Sequence, residues 1–343
     1  MKKLLNVLYI TLADAKIGLK NENVCVMQNG NTLMKVPLLN LEGLVLFNYF
    51  GATSHLMAEC AKRNITISFL SEYGKYLGSF HGETKGNVLL RKEQYRISDN
   101  TERSLAYSKN FIFGKLHNQK WVLERGLRDY ALRIDEDLLK TASMQITDGL
   151  RNLLECKNAE KLRAIEGNSA HYYFRSFNEL ILQNKDEFIF NTRNRRPPTD
   201  TVNAMLSFSY SLLVSECRSA LESAGLDSYV GFLHVDRPGR PSLALDLMEE
   251  FRPHFADRFV LSLINRNEIK PTDFVKEETG AVLFSEAARK KFLSAWQQRK
   301  KEIITHPYLK DKMEWGIVPH VQAMLLARTI RGDLEEYPPF LWK

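Results

Sequence analysis

Apolar residues change their period once along this chain. Between Leu5 and Phe80 they fall in short runs: Leu5 to Leu12, Lys16 to Leu19, Val24 to Gln28, Leu33 to Pro37, Gly43 to Phe47, Ile65 to Leu70 and Tyr76 to Phe80. Asn21-Glu22-Asn23, Asn29-Gly30-Asn31 and Tyr73-Gly74-Lys75 separate some of these runs with the residues tight hairpins require, so the pattern predicts a small β-domain over residues 1–80. One helix interrupts it, Ser54 to Lys62, with Ser54 as its expected cap and Leu56, Met57, Cys60 and Ala61 as its apolar stripe.

Residues 81–86, His81-Gly82-Glu83-Thr84-Lys85-Gly86, have the composition of a linker, and helical spacing dominates beyond them. Helices are predicted over Val88 to Tyr95, Thr101 to Arg125, Asp135 to Thr141, Met144 to Cys156, Asn158 to Leu182, Thr199 to Ala224, Ser242 to Phe251, Phe255 to Asn267, Ser285 to Lys301 and Met313 to Arg331. The fold class is α+β: an N-terminal β-domain, then a larger all-α domain over 87–334. Residues 335–343, with Pro338-Pro339, are expected to form a C-terminal tail.

Composition narrows the function classes. With 343 residues and 44% hydrophobic content the chain can build a sizeable core in about two domains. Its net charge of +7 favours a polyanionic partner without requiring one. Cys25, Cys60, Cys156 and Cys217 stand far apart with no C-x-x-C pair, which argues against a disulfide framework and a thiolate zinc site and for a reducing, cytoplasmic location. Lys2-Lys3 before the run Leu4 to Ala13 imitates a signal peptide, but Asn6 and Asp14 interrupt it and a first strand is the better reading. No apolar run is long enough to span a membrane.

The richest stretch for chemistry runs from Gly231 to Pro253. His234 follows Gly231-Phe232-Leu233; a turn bearing Arg237 and Arg240 comes next; Ser242 is the expected N-cap of a helix that Pro253 is expected to stop. Asp246 and Glu249, three residues apart, share one helix face, while Leu243, Leu247 and Phe251 can anchor the other flank. A second acidic element is Glu166, followed by a mid-helix Gly167 whose cost asks for a reason such as close approach of another backbone. Taken singly, Glu166 reads as a solvated glutamate and His234 as a core histidine. Together, carboxylates and one imidazole suit Mg2+ or Mn2+; zinc stays open, although H-E-x-x-H is absent. Arg193, Arg195 and Arg196 before Pro197-Pro198, with Arg237 and Arg240, present guanidiniums on rigid turns suited to phosphate. The basic run around Trp296 is either a further contact or a solvated face, and Tyr210 either faces the site or packs.

Four motifs in order carry a family resemblance: Glu166-Gly167-Asn168-Ser169-Ala170 with Tyr173-Phe174; Arg195-Arg196-Pro197-Pro198-Thr199-Asp200 leading to Val202-Asn203-Ala204; Gly231-Phe232-Leu233-His234; and Leu245-Asp246-Leu247-Met248-Glu249-Glu250-Phe251-Arg252-Pro253. In these the chain resembles the CRISPR-associated spacer-acquisition integrases, the family numbered one among the Cas proteins, and most of all its type I-C members. The resemblance implies an α-helical catalytic domain and a homodimer built through the β-domains. It implies Mg2+ or Mn2+ held by Glu166, His234 and Glu249, with Asp246 a further catalytic acidic position. Glu249 departs from an aspartate common in the family. Arg237 stands where a basic residue supports the site, and Tyr210 matches a tyrosine on the preceding helix. The implied reaction is attack of a 3′-hydroxyl of double-stranded protospacer DNA on the CRISPR repeat, assisted by a small ferredoxin-like companion protein. A DNA-binding scaffold with a structural ion-pair network, and a general metal-dependent DNase, remain the competing readings.

Overall fold

The computed structural model describes residues 7–12, 14–41, 43–63, 65–71, 76–80, 82, 88–195 and 197–343. Most of the expected linker, the Tyr73-Gly74-Lys75 turn, Arg196 and the start of the first strand lie outside them. The chain divides into two compact units, one of Met1–Gly86, Leu293–Glu302 and Glu314–Ile317, the other of Asn87–Phe292, Ile303–Met313 and Val318–Lys343.

In the first unit, β1 (Val7–Ile10) is followed by the meander β2 (Lys16–Lys20), β3 (Asn23–Gln28) and β4 (Asn31–Pro37). Its two tight turns have positive φ at both central residues, 49° and 61° at Asn21 and Glu22, 50° and 78° at Asn29 and Gly30. That is the twist two-residue hairpins need, and it locks the registers Lys20 to Asn23 and Gln28 to Asn31. A second sheet joins β1, β5 (Gly43–Leu46), β6 (Thr66–Leu70) and β7 (Tyr76–Phe80) in that order. There β5 pairs with β1 and β6 in parallel, a pairing local spacing does not announce. The crossover from β5 to β6 is α1 (Ser54–Lys62), which closes its Leu56 and Cys60 face over the sheet core of Ile10, Leu44, Leu46 and Ile67. Its cap is Thr53 rather than the expected Ser54: Leu56 N donates to Thr53 Oγ1 at 3.4 Å.

The second unit is mainly helical. It runs through α2 (Val88–Asp99), α3 (Thr101–Tyr130), α4 (Glu136–Leu154), α5 (Ala159–Phe177), α6 (Thr201–Ser223), α7 (Ser242–Glu249) and α8 (Arg258–Asn265). The pair β8 (Phe274–Lys276) and β9 (Val282–Phe284) and the start of α9 (Glu286–Lys300), up to Phe292, follow, then the pair β10 (Ile303–Thr305) and β11 (Lys312–Glu314), whose last residue Glu314 belongs to the first unit, and α10 (Val318–Arg331). The two short ribbons correct the all-α expectation to mixed α+β. The two helices expected at Asp135 to Thr141 and Met144 to Cys156 are one, α4, because Ala142 and Ser143 face the core without breaking it.

Two further expectations give way near α7. Ser242 is the first helical residue, not the cap, and its hydroxyl turns back to Val235 O at 3.3 Å. Pro253 does not stop the chain; it sits in a wide π turn, Arg252–Asp257, that feeds α8. Residues 335–343 are not peripheral. Tyr337 and Phe340 are buried, and Asn118 on α3 clamps this segment, donating to Phe340 O at 2.8 Å and accepting from Trp342 N at 2.9 Å.

Candidate active site

Asp246 organises the loop that carries His234. Fully buried on α7, it accepts from three successive backbone amides, Phe232 N and Leu233 N at 2.6 and 3.0 Å on Oδ2 and His234 N at 3.0 Å on Oδ1. Oδ1 also meets His234 Nδ1 at 2.6 Å. A carboxylate at that distance holds the proton on Nδ1 and leaves the lone pair on Nε2, the second-partner arrangement typical of a ligating histidine. Gly231 begins the loop because nothing larger fits: a Cβ there would lie 2.8 Å from Ser242 Cβ and 2.9 Å from Asp246 Oδ2. Beyond His234, Arg240 N closes on Arg237 O at 3.0 Å around Gly239, whose φ of 75° suits a Pro-Gly turn.

Glu249, one helical turn after Asp246, points at the same place. Its Oε1 lies 4.0 Å from His234 Nε2 and 3.0 Å from an Arg252 nitrogen, and its Oε2 lies 2.9 Å from Lys115 Nζ. The same Lys115 ammonium contacts Glu166 Oε1, so α3, α5 and α7 meet at one nitrogen. Burial raises the Glu249 pKa, but the Arg252 guanidinium and the Lys115 ammonium outweigh it and hold the carboxyl well below the usual range. For Lys115, burial favours the neutral amine, but Glu249 and Glu166 outweigh it and keep the ammonium. The site reaches solvent at Glu166 and His234, whose side chains are 31% and 21% exposed, against 4% for Glu249 and none for Asp246.

Behind Arg252 lies a polar layer. The Tyr210 ring is flanked by the guanidiniums of Arg252 and Arg193 at 4.9 and 5.2 Å, and its hydroxyl donates to Asp257 Oδ1 at 2.6 Å. Tyr173 donates to Asp257 Oδ2 at 3.1 Å. Burial pushes the Asp257 carboxyl up to about 6, against the pull of these two hydroxyls.

A model of the family described as CRISPR associated protein Cas1 matches residues 8–298. The chain belongs to the Cas1 family. A relative 45% identical over 343 residues, covering the whole of both chains, is the CRISPR-associated endonuclease Cas1 1 of Chlorobaculum tepidum. Among solved structures, a casposase bound to integration product superposes with a TM-score of 0.84 at 24% identity, over 98% of this chain and 94% of that one. A chain of a Cas6-RT-Cas1–Cas2 complex gives a TM-score of 0.83 at 23% identity, over 100% of this chain and 36% of its own length. These two likenesses show that the chain has the Cas1 fold.

Within this Cas1 chain, Glu166, His234, Glu249 and Asp246 come together from three separate segments. Among the described residues no three His, Cys, Asp or Glu side chains are already gathered as a metal cage, and Lys115 stands between Glu166 and Glu249. The donor set of two carboxylates and an imidazole with a free Nε2 lone pair nevertheless fits a hard divalent ion. Two of the expected DNA contacts are occupied inside the protein. Arg193 donates to Asn203 Oδ1 at 2.7 Å and Ser207 Oγ at 3.1 Å, and Tyr210 is fixed by Asp257. Arg195 and Arg237 are exposed, Arg240 half-buried, and Arg196 lies outside the described residues. The sequence reading passed over Lys115 although a signal was present. It lies on the apolar stripe of α3 with Phe111, Ile112 and Leu116, where a buried lysine needs a carboxylate partner.

Proposed function

We propose that this Cas1 chain is a metal-dependent DNA endonuclease and integrase of CRISPR adaptation, which joins 3′-hydroxyl ends of short double-stranded DNA to the CRISPR repeat. The convergence of Glu166, His234 and Glu249 at a site that reaches solvent at Glu166 and His234 carries this reading. Glu166, His234 and Glu249 would hold Mg2+ or Mn2+, and such an ion, when bound, polarises a phosphate oxygen and acidifies a hydroxyl. Asp246 keeps the His234 proton on Nδ1 so that Nε2 presents its lone pair. Arg252 balances Glu249. Arg195, Arg237 and Arg240 would neutralise the phosphates of the incoming DNA on the outside. The casposase of like fold is bound to an integration product, and the Cas1 neighbour of like fold occurs in a complex with Cas2, which supports DNA and a small Cas companion as partners. A type I-C affiliation and a homodimer belong to the same reading.

The deciding experiment incubates the protein and its companion with a short 3′-hydroxyl duplex and a repeat-bearing plasmid, in Mg2+, Mn2+ or EDTA. Joined product should require the ion and vanish in His234→Ala; joining that persists in EDTA refutes the mechanism. The contacts of Lys115 and Arg252 with Glu249 favour a second reading, a scaffold whose acidic cluster is a structural ion-pair network. On that reading Mn2+ leaves the melting temperature unchanged.

A further inference from the structure

Lys115 is not a surface cation that has drifted onto a carboxylate. It is 4% exposed, it is planted on the core face of α3, and its neighbour Gly114 packs so tightly that a Cβ there would lie 2.9 Å from Glu250 Cβ and 3.2 Å from Pro339 Cβ. The α3 backbone is therefore packed directly against Glu250 and Pro339, and the ammonium stands at the end of a stem rooted in that close contact. Its two partners are Glu166 and Glu249, the carboxylates that the proposed metal site requires.

We infer that Lys115 is a built-in competitor for the cation seat: its ammonium holds Glu166 and Glu249 together, and a divalent ion binds by displacing it from at least one of them. The inference rests on the reading of Glu166, His234 and Glu249 as metal ligands. Its physical basis is spatial and electrostatic. A carboxylate ligand approaches Mg2+ at about 2.0–2.1 Å, closer than it approaches an ammonium, so an ion held by Glu166 and Glu249 would need the volume that Nζ fills. Two cations in that volume repel strongly where water is excluded. Arg252 already pairs with Glu249 from the other side at 3.0 Å, so the two carboxylates Glu166 and Glu249 carry no charge in excess of the two cations, Lys115 and Arg252, that already contact them.

Two roles follow. Lys115 prevents the two carboxylates from repelling one another before metal arrives, since a buried carboxylate without a partner is strongly destabilising. It also raises the metal concentration the site needs, because each ion must replace an existing ion pair. Lys115 is thus a positioning residue that sets a metal threshold. A lysine that merely supports ligands already bound to metal would act in the opposite sense, its loss weakening the metal.

The test measures Mn2+ affinity by electron paramagnetic resonance, and melting temperature across a Mn2+ series, for the wild type, Lys115→Gln, Lys115→Arg and Glu249→Ala. Lys115→Gln should melt lower than the wild type in EDTA yet bind Mn2+ about tenfold more tightly, with a larger rise in melting temperature on saturation. Lys115→Arg, which keeps a cation in place, should bind Mn2+ no more tightly than the wild type. Affinity in Lys115→Gln equal to or weaker than wild type overturns the inference. Should Lys115→Gln not fold in EDTA, recovery of cooperative melting at Mn2+ concentrations below wild-type half-saturation supports it, and no recovery overturns it. If Glu249→Ala binds Mn2+ as the wild type does, it is the metal-site reading that fails; if Glu249→Ala loses Mn2+ while Lys115→Gln gains nothing, the competition alone fails.

Discussion

Asp246 Oδ1 lies 2.6 Å from His234 Nδ1, and the same carboxylate caps the amides of Phe232, Leu233 and His234. One buried side chain thereby fixes both the path of the loop and the tautomer of the imidazole it carries. The two effects can be separated. In Asp246→Asn one acceptor oxygen remains where four N–H groups converge, so at least one donor is orphaned, at a cost of about 1–3 kcal/mol. The wrong end of the amide also faces Nδ1. We expect Asp246→Asn to fold with a lower melting temperature and to lose about 10–100-fold in Mn2+ affinity and strand joining. A variant that loses stability but keeps wild-type Mn2+ affinity would show that Asp246 only shapes the loop.

Asp257 gives the protein a pH signature. Its carboxyl, ordinarily near 3.8, is pushed up to about 6 by burial, although Tyr210 and Tyr173 both donate to it. Between these two values the folded state keeps a proton that the unfolded chain has released, so stability falls as pH rises through this window, by up to about 3 kcal/mol. Glu249 works the other way: its carboxyl is held below 4.5, so its contribution is present above that pH and is lost only at more acidic values. Chemical denaturation at pH 4 and pH 6.5 should show a decline in the wild type that is smaller in Asp257→Asn. An unchanged slope in that variant would mean the Asp257 carboxyl titrates alike in both states.

The expected arginine contacts divide on the structure, and the division can be measured. Arg195 is exposed on the turn before Pro197, whereas Arg193 is tied to Asn203, Ser207 and the Tyr210 face. Arg195→Ala should leave the melting temperature unchanged and reduce the salt dependence of DNA binding by a log-log slope of about 0.9. Arg193→Ala should lower the melting temperature and change the salt slope little. If the slopes change equally, Arg193 reaches DNA despite its internal partners.

What could be read along the chain was local. Asn29-Gly30 announced a hairpin because two positive φ angles are encoded by two neighbouring residues. The face shared by Asp246 and Glu249 followed from helix geometry alone. Long-range facts were hidden. Nothing near Gly43 or Thr66 states that β5 and β6 pair in parallel through α1. The proline-bearing 335–343 segment does not announce locally that Tyr337 and Phe340 are buried, and its backbone partner Asn118 lies far back in the sequence, with |i−j| of 222 for its bond to Phe340 O. The bridge from Lys115 to Glu166 and Glu249 belongs to the same class. Only the buried position on α3 hinted that this lysine had partners, not which ones.

Gly167 poses the last question, because the fold gives it no reason to be glycine. It stands inside α5 beside Glu166, and a Cβ built there meets nothing within 4 Å. An alanine would fit and would favour the helix by about 1 kcal/mol. A residue that sacrifices helix stability without packing against its own chain has a natural explanation in a ligand passing close to the backbone, and Glu166 beside it is the exposed edge of the proposed site. Gly167→Ala should therefore raise the melting temperature while lowering strand joining and DNA affinity, with Mn2+ affinity unchanged because the Glu166 carboxylate is untouched. Opposite signs in stability and DNA affinity separate this from ordinary damage, which lowers both. If joining is as efficient as in the wild type, no DNA backbone approaches this face of α5, and the entry path lies on the His234 side instead.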